Sequence, residues 1–330
     1  MLSIAIPLYN KKPYIEKAIQ SCTKVCMLHS IRYEVVIVNN ASTDVSKAEL
    51  DLLVAKYHEC KIIHLTRTIS LPENWLFALN NCQGTYLKLL LADDLMPVYN
   101  LIKATELIKN GNLDYIIGMT QPVFEAKDFE TDYFEHVNAF RRRLNPALTA
   151  SEKIAMVLED IACSSNPFGD IGALMFHRNC LGSLNLGVRA GLPAFTTFPD
   201  LDIYLTLFAN HCGAYLDETV SFFVYNDTSP AVKRVRDKQP ALHQLYEEYE
   251  ASMSLHFITA FKFTALAAYL SQEQKRNLLS KIYDRSSHLL DCSDLPDTRP
   301  EYKMRFHGAA RWSPFAFIQR FAKGLRGSLK

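Results

Sequence analysis

The first 120 residues alternate short, continuously apolar runs with longer stretches in which apolar positions return every three or four residues. Runs of the first kind predict strands buried on both faces, and stretches of the second kind predict amphipathic helices. The expected strands fall at 2–7, 33–39, 61–65, 85–91 and 113–118. Between them, helices are expected over Tyr14–Cys26, Ser46–Tyr57, Glu73–Cys82 and Val98–Lys109, with Pro13, Pro72 and Pro97 near three of the starts, where a missing N–H costs little. Each strand thus feeds a crossover helix, the order of a parallel α/β sheet.

Beyond this region the periodicity weakens. Residues 121–170 are more polar and aromatic, hold the basic cluster Arg141-Arg142-Arg143, and are expected to form an excursion that covers a site. Strands are expected again at 172–176 and 220–225, with a helix from Leu201 to Asn210 between them. From Pro240 onward the pattern turns helical, over Leu242–Leu270 and Gln272–Leu290, before a turn-rich linker from Asp291 to Pro300. Three segments follow: 1–120, 121–230 and a helical extension, 231–330.

Bulk composition narrows the partners. Of 330 residues, 48% are hydrophobic and 22% charged, and the formal net charge is only +1, so no global field attracts nucleic acid. Eight cysteines at 22, 26, 60, 82, 163, 180, 212 and 292 lack the CxxC pairs of zinc or thiol–disulfide sites, so buried free thiols in a reducing cytoplasm are expected. Leu2-Ser3-Ile4-Ala5-Ile6 has neither the basic flank nor the length of a secretory leader. The most apolar later stretch, Leu255–Leu270, is interrupted by His256 and Lys262 and is too short for a membrane span.

The chemistry concentrates at strand ends. Asp93 and Asp94 close the run Tyr86-Leu87-Lys88-Leu89-Leu90-Leu91-Ala92. The carboxyl edge of such a sheet is where ligands bind, and paired carboxylates there suit a divalent cation carrying phosphates, although a helix-capping turn before Met96-Pro97 has the same look. At the end of the first strand, Pro7-Leu8-Tyr9-Asn10 offers an aromatic ring and an amide, suited to stacking on a base or to an ordinary turn. No glycine-rich phosphate loop is present there.

Taken in order, Pro7-Leu8-Tyr9-Asn10, Val38-Asn39-Asn40-Ala41-Ser42-Thr43-Asp44, Glu73-Asn74-Trp75, Gly84-Thr85-Tyr86 and Ala92-Asp93-Asp94 resemble the family 2 glycosyltransferases of GT-A fold, bacterial surface-polysaccharide type. The resemblance implies an α/β, Rossmann-like nucleotide-sugar-binding domain with a mixed central sheet, followed by a C-terminal helical region. It implies a donor site formed by Pro7, Tyr9, Asn39, Asn40, Arg67 and Asp93, with Mn²⁺ or Mg²⁺ held by Asp94 and Asp93. Two departures mark this chain. Asn39-Asn40-Ala41 stands where the family usually has Asp-Asp-Gly, and Leu91 where it often has a further Asp.

An inverting transfer needs a general base opposite the leaving diphosphate, and the family uses a carboxylate. Phe198-Pro199-Asp200-Leu201-Asp202 resembles its acidic motif, so Asp200 is the expected base and Asp202 the fallback at the acceptor. The same two residues suit the cap and first turn of a helix. Asp170, in Gly169-Asp170-Ile171-Gly172, is the other expected acceptor contact, or an ordinary turn residue. His177 and His211 are read as structural and left outside the cation site.

The tail from Arg299 to Lys330 carries eight Lys or Arg against Glu301 alone. As a helix, its end gathers Phe317, Ile318, Phe321 and Leu325 on one side and Arg320, Lys323 and Arg326 on the other, which suits an anionic membrane surface or the protein's own core. The expected function is transfer of a sugar from a nucleoside diphosphate, UDP foremost, to a glycan or lipid-linked acceptor at the inner face of the cytoplasmic membrane. Alternatives are a nucleotide-sugar-binding protein without catalysis and a sugar nucleotidyltransferase.

Overall fold

The computed structural model describes residues 1–28, 31–97, 100–124, 138–139, 141–143, 148–149, 151–153, 155–156, 170–184, 188–189, 192–193, 199–225, 271 and 273–274. The chain divides into two compact units, one of residues 1–154 and 166–237, the other of 155–165 and 238–330.

In the first unit, strands β1 (Leu2–Leu8), β2 (Tyr33–Asn39), β3 (Cys60–His64), β4 (Tyr86–Leu89), β5 (Tyr115–Phe124) and β6 (Leu174–His177) are joined by a long strand, Gly213–Tyr225. A small hairpin lies between, formed by β7 (Val188–Arg189) and β8 (Leu192–Pro193), which makes the long strand β9. The main sheet runs β3-β2-β1-β4-β6-β5-β9. All seven residues of β1 are buried, as expected for an inner strand flanked in parallel by β2 and β4. Strand β6 inserts antiparallel between β4 and β5, while β5 and β9 pair in parallel, so the sheet is mixed. Residue 120 lies inside β5, and the 1–120 and 121–230 segments therefore share this one sheet.

Helices α1 (Lys12–Leu28), α2 (Lys47–Val54), α3 (Leu71–Asn80) and α4 (Leu101–Gly111) fill the crossovers. Helix α3 begins two residues before the expected Glu73. Ser70 accepts the Glu73 N–H while Glu73 returns a carboxylate to the Ser70 N–H, and Pro72 sits in the first turn. Ser46 and Glu49 start α2 in the same way. Among the described residues of the second unit, Ser271 and Gln274 exchange the matching pair of hydrogen bonds, at the start expected for the helix over 272–290.

Strands β5 and β9 both exceed expectation. Each extends because the other pairs with it, around register shifts beside Gly118, where a Cβ would stand 2.5 Å from Val220. The expected 172–176 strand starts instead at Leu174, because Asp170 caps a turn of 3₁₀ helix, Ile171–Ala173. The expected 201–210 helix runs from Pro199 to Asn210 and is α5. No helix among the described residues is long and apolar enough to cross a membrane. The basic tail and the helix expected over 242–270 lie outside the described residues.

Candidate functional site

The carboxyl ends of β1, β2 and β4 converge on one edge of the sheet. Pro7 removes a donor there at no cost: β1 pairs with β4 only through Ala5 and its carbonyl bond to Leu90, so β4 has left before Pro7 is reached. Tyr9, the second residue beyond it, is 46% exposed at the rim. The two turns beyond β1 and β2 are bolted together. Asn10, at φ 51°, donates its N–H to Ser42 and accepts from Thr43, while the Lys12 N–H reaches Asp44.

Asn39 and Asn40 are buried and spend their amides on the protein. Asn39 accepts the Ser42 N–H at 3.0 Å and donates to His64 Nδ1 at 3.0 Å, which leaves His64 Nε2–H for Asp51 at 2.9 Å. Asn40 donates to the Ile69 carbonyl at 3.0 Å and accepts its N–H at 2.8 Å, fastening the loop that carries the exposed Arg67. Ala41 sits at φ 52°, a left-handed conformation that explains why glycine suits this position.

The two carboxylates differ sharply. Asp93 is half-buried and pairs with Lys11 Nζ at 2.5 Å. Asp94 is 1% exposed; its Oδ1 accepts the Val224 N–H of β9 at 2.9 Å, and its Oδ2 has no hydrogen-bond partner among the described residues. Burial, then Asp170 and Asp93, push its carboxyl well above the usual carboxylate range. A buried oxygen left without a donor, beside further carboxylates, fits a ligand to a hard divalent cation.

Asp170 lies deeper than an acceptor contact requires. It is 4% exposed, and its carboxylate accepts the Gly172 N–H and the Thr120 hydroxyl. A Cβ on Gly172 would stand 2.8 Å from Asp170 Oδ1, so only glycine allows this approach. The Asp170 carbonyl accepts from the Tyr204 hydroxyl at 3.0 Å and from Arg141 at 3.2 Å. Arg141 also reaches the Gly118 carbonyl and the Thr120 hydroxyl, and Lys88, inside β4, bonds the Gly172 carbonyl. Lys88, Arg141 and Tyr204 are all fully buried. Burial lowers the Lys88 pKa to about 8 against the opposing pull of Asp170.

Asp200 sits in the first turn of α5, half-exposed, with its charge felt by Tyr204 one turn on. Asp202 shares that turn, its side chain outside the described residues. Tyr204 thus links the candidate base to Asp170, and Asp170 lies beside Asp94. The sequence reading missed Lys88 and the anchoring role of Arg141. A lysine breaking an otherwise apolar strand, and the first arginine of a basic cluster, were the available signals.

Comparison with known proteins agrees with this architecture. Residues 3–161 match the model described as glycosyl transferase family 2. Among curated proteins, none matches. Solved structures similar in fold include S. aureus TarS 1–349 in complex with UDP-GlcNAc, at a TM-score of 0.56 and 15% identity over 93% of this chain and 79% of that one. The mannosyltransferase PcManGT from Pyrobaculum calidifontis in complex with GDP-Man and Mn²⁺ is similar at a TM-score of 0.50 and 16% identity, over 100% of this chain and 80% of that one. Residues 3–161 thus match the family 2 glycosyltransferases, and the mixed sheet with its converging strand ends is the α/β arrangement of a GT-A fold.

Proposed function

We propose that this glycosyltransferase inverts the anomeric centre of a UDP-linked sugar with the help of Mn²⁺ or Mg²⁺, and delivers the sugar to a hydroxyl of a glycan or lipid-linked glycan during surface-polysaccharide assembly. The observation that carries the reading is the buried Asp94 Oδ2 at the ligand edge of the sheet, which has no hydrogen-bond partner among the described residues. Asp94 and Asp93 would hold the cation, whose charge offsets that of the departing diphosphate.

The chain's own residues supply the remainder. Tyr9 and Arg67, exposed at the rim, face the nucleotide, while Asn39 and Asn40 keep the turns beneath it rigid. Asp200, oriented by the start of α5, takes the proton of the acceptor hydroxyl, with Asp202 beside it. The choice of UDP draws on a structure similar in fold that holds UDP-GlcNAc. Residues 299–330 seat the protein on the inner face of the cytoplasmic membrane through their basic and aromatic residues.

The test is titration calorimetry of UDP with and without Mn²⁺, beside a UDP-sugar hydrolysis assay, on the native chain and Asp94→Asn. Binding that needs Mn²⁺ and is lost in the variant is expected, together with slow hydrolysis by the native chain. UDP binding indifferent to both Mn²⁺ and Asp94 would sink the reading. Cation-dependent binding without turnover, across many acceptors, would instead favour a binding protein.

A further inference from the structure

A second cluster lies at the opposite end of the same sheet. Because β6 runs antiparallel to β4 with His177 opposite Tyr86, the turn after β6 falls at the end away from Asp94. There the N-terminal ends of β5 and β9 meet that turn, and Asp114, Cys180 and His211 bring one ligand atom each within 4.8 Å of the others. Cys180 is fully buried, and Asp114 and His211 are half-buried.

The hydrogen bonds decide what His211 presents. Ser183 Oγ has one proton and donates it to the Cys180 carbonyl at 2.6 Å. The 2.8 Å contact between Ser183 Oγ and His211 Nε2 therefore has His211 as its donor. That fixes the Nε2–H and leaves Nδ1 facing Asp114 Oδ2 at 3.6 Å. A charge-assisted hydrogen bond would close this gap to about 2.7–2.9 Å. A lone pair and a carboxylate oxygen at this spacing instead resemble two corners of a tetrahedron around an ion, whose bonds of about 2.0–2.3 Å put corners about 3.3–3.7 Å apart.

The rest of the arrangement has the features of a built site. The second nitrogen of His211 is held by a hydroxyl, the usual way a ligating imidazole is oriented. Asp114 is fixed by the Cys212 N–H at 2.9 Å and, through its backbone, by Cys212 O and the His177 N–H. The Cys180 thiol donates to the Asp114 backbone carbonyl at 3.7 Å, which holds Sγ beside that residue. One thiolate, one carboxylate and one neutral imidazole would exactly offset a dication's charge, as a partly buried position favours.

We propose that Asp114, Cys180 and His211 bind zinc, with a fourth position open to water, at a site that clamps the start of β5, the start of β9 and the turn after β6. Binding forms a metal–sulfur bond and releases the Cys180 proton to solvent. Burial and Asp114 otherwise hold that thiol protonated, at a pKa of about 12. The mixed donor set selects zinc over the hard cations suited to Asp93 and Asp94. The site serves the sheet's stability and is separate from donor binding.

Cobalt makes the test spectroscopic. The full chain, purified without a polyhistidine tag and stripped with chelator, is titrated with Co²⁺, alongside Asp94→Asn, Cys180→Ser, His211→Gln and Cys212→Ser. One equivalent should give a near-ultraviolet thiolate-to-cobalt band in the native chain, Asp94→Asn and Cys212→Ser. The band should vanish in Cys180→Ser, require at least about tenfold more Co²⁺ in His211→Gln, and disappear when Zn²⁺ is added. Zn²⁺ should also raise the thermal midpoint of the native chain and not that of Cys180→Ser. No band at saturating Co²⁺, a band that survives Cys180→Ser, or one lost only in Cys212→Ser overturns the assignment.

Discussion

Replacing Lys88 by Met measures the cost of carrying an ammonium inside β4. Burial lowers its pKa from 10.5 to about 8, with Asp170 opposing the shift. Below about pH 8 folded and unfolded chains both hold the proton, and the folded state bears the full cost of the buried charge. Between about 8 and 10.5 the unfolded chain keeps a proton that the folded chain has released, so unfolding takes up a proton and grows harder as pH rises. The gap between 10.5 and 8, at about 1.4 kcal/mol per pH unit, amounts to about 3 kcal/mol.

Native stability minus that of Lys88→Met should therefore climb by about 3 kcal/mol from pH 7 to pH 10.5. Taking the difference cancels buried groups that do not sense Lys88, such as Cys26 and Tyr115, whose raised pKa values cost both proteins stability as pH increases. Loss of the Lys88 bond to the Gly172 carbonyl adds a vertical offset of about 1–3 kcal/mol that does not depend on pH. Urea unfolding followed by fluorescence of the buried Trp75, in a Trp312→Phe background, reads the first unit. Curves for the two proteins that stay parallel across this range would refute the reasoning.

Asp200→Asn should lower turnover by about 10²-fold or more with UDP-sugar binding unchanged in calorimetry; full activity would move the base elsewhere. Ala41→Gly should raise stability by about 1 kcal/mol in the same urea assay, because it relieves a left-handed alanine, and unchanged stability would mean that position carries no strain. Deleting residues 299–330 should cut sedimentation with phosphatidylserine vesicles by at least about 10²-fold at low salt, since each basic residue near the surface contributes about 1 kcal/mol; equal sedimentation would mean the tail serves the protein itself.

The first 120 residues were legible because their signals are local. A strand such as Val35–Val38, buried on both faces, leaves a continuous apolar run, and Ser46 with Glu49 or Ser70 with Glu73 announces a helix start within four residues. Asp93 and Asp94 could be placed at a strand end, but nothing local distinguishes the ion-paired carboxylate from the one with an unpartnered oxygen. That difference comes from Lys11, far back in the chain, and from β9. The first half of β9, Gly213–Thr219, mixes polar and apolar residues and is a strand only because β5 pairs with it. Lys88 and Asp170 were opaque for the same reason: the carbonyl that holds Lys88 is 84 residues away, and Asp170 turns inward toward donors brought by β5 and its own turn.

The bond from Val224 to Asp94 is made by main chain. Whatever side chain occupies position 224, its amide is the same, so this strand can exchange residues without loosening its hold on the carboxylate opposite. Only proline, which lacks the hydrogen, would break that link. Drift in the side chains of β9 is thereby uncoupled from the anchoring of Asp94.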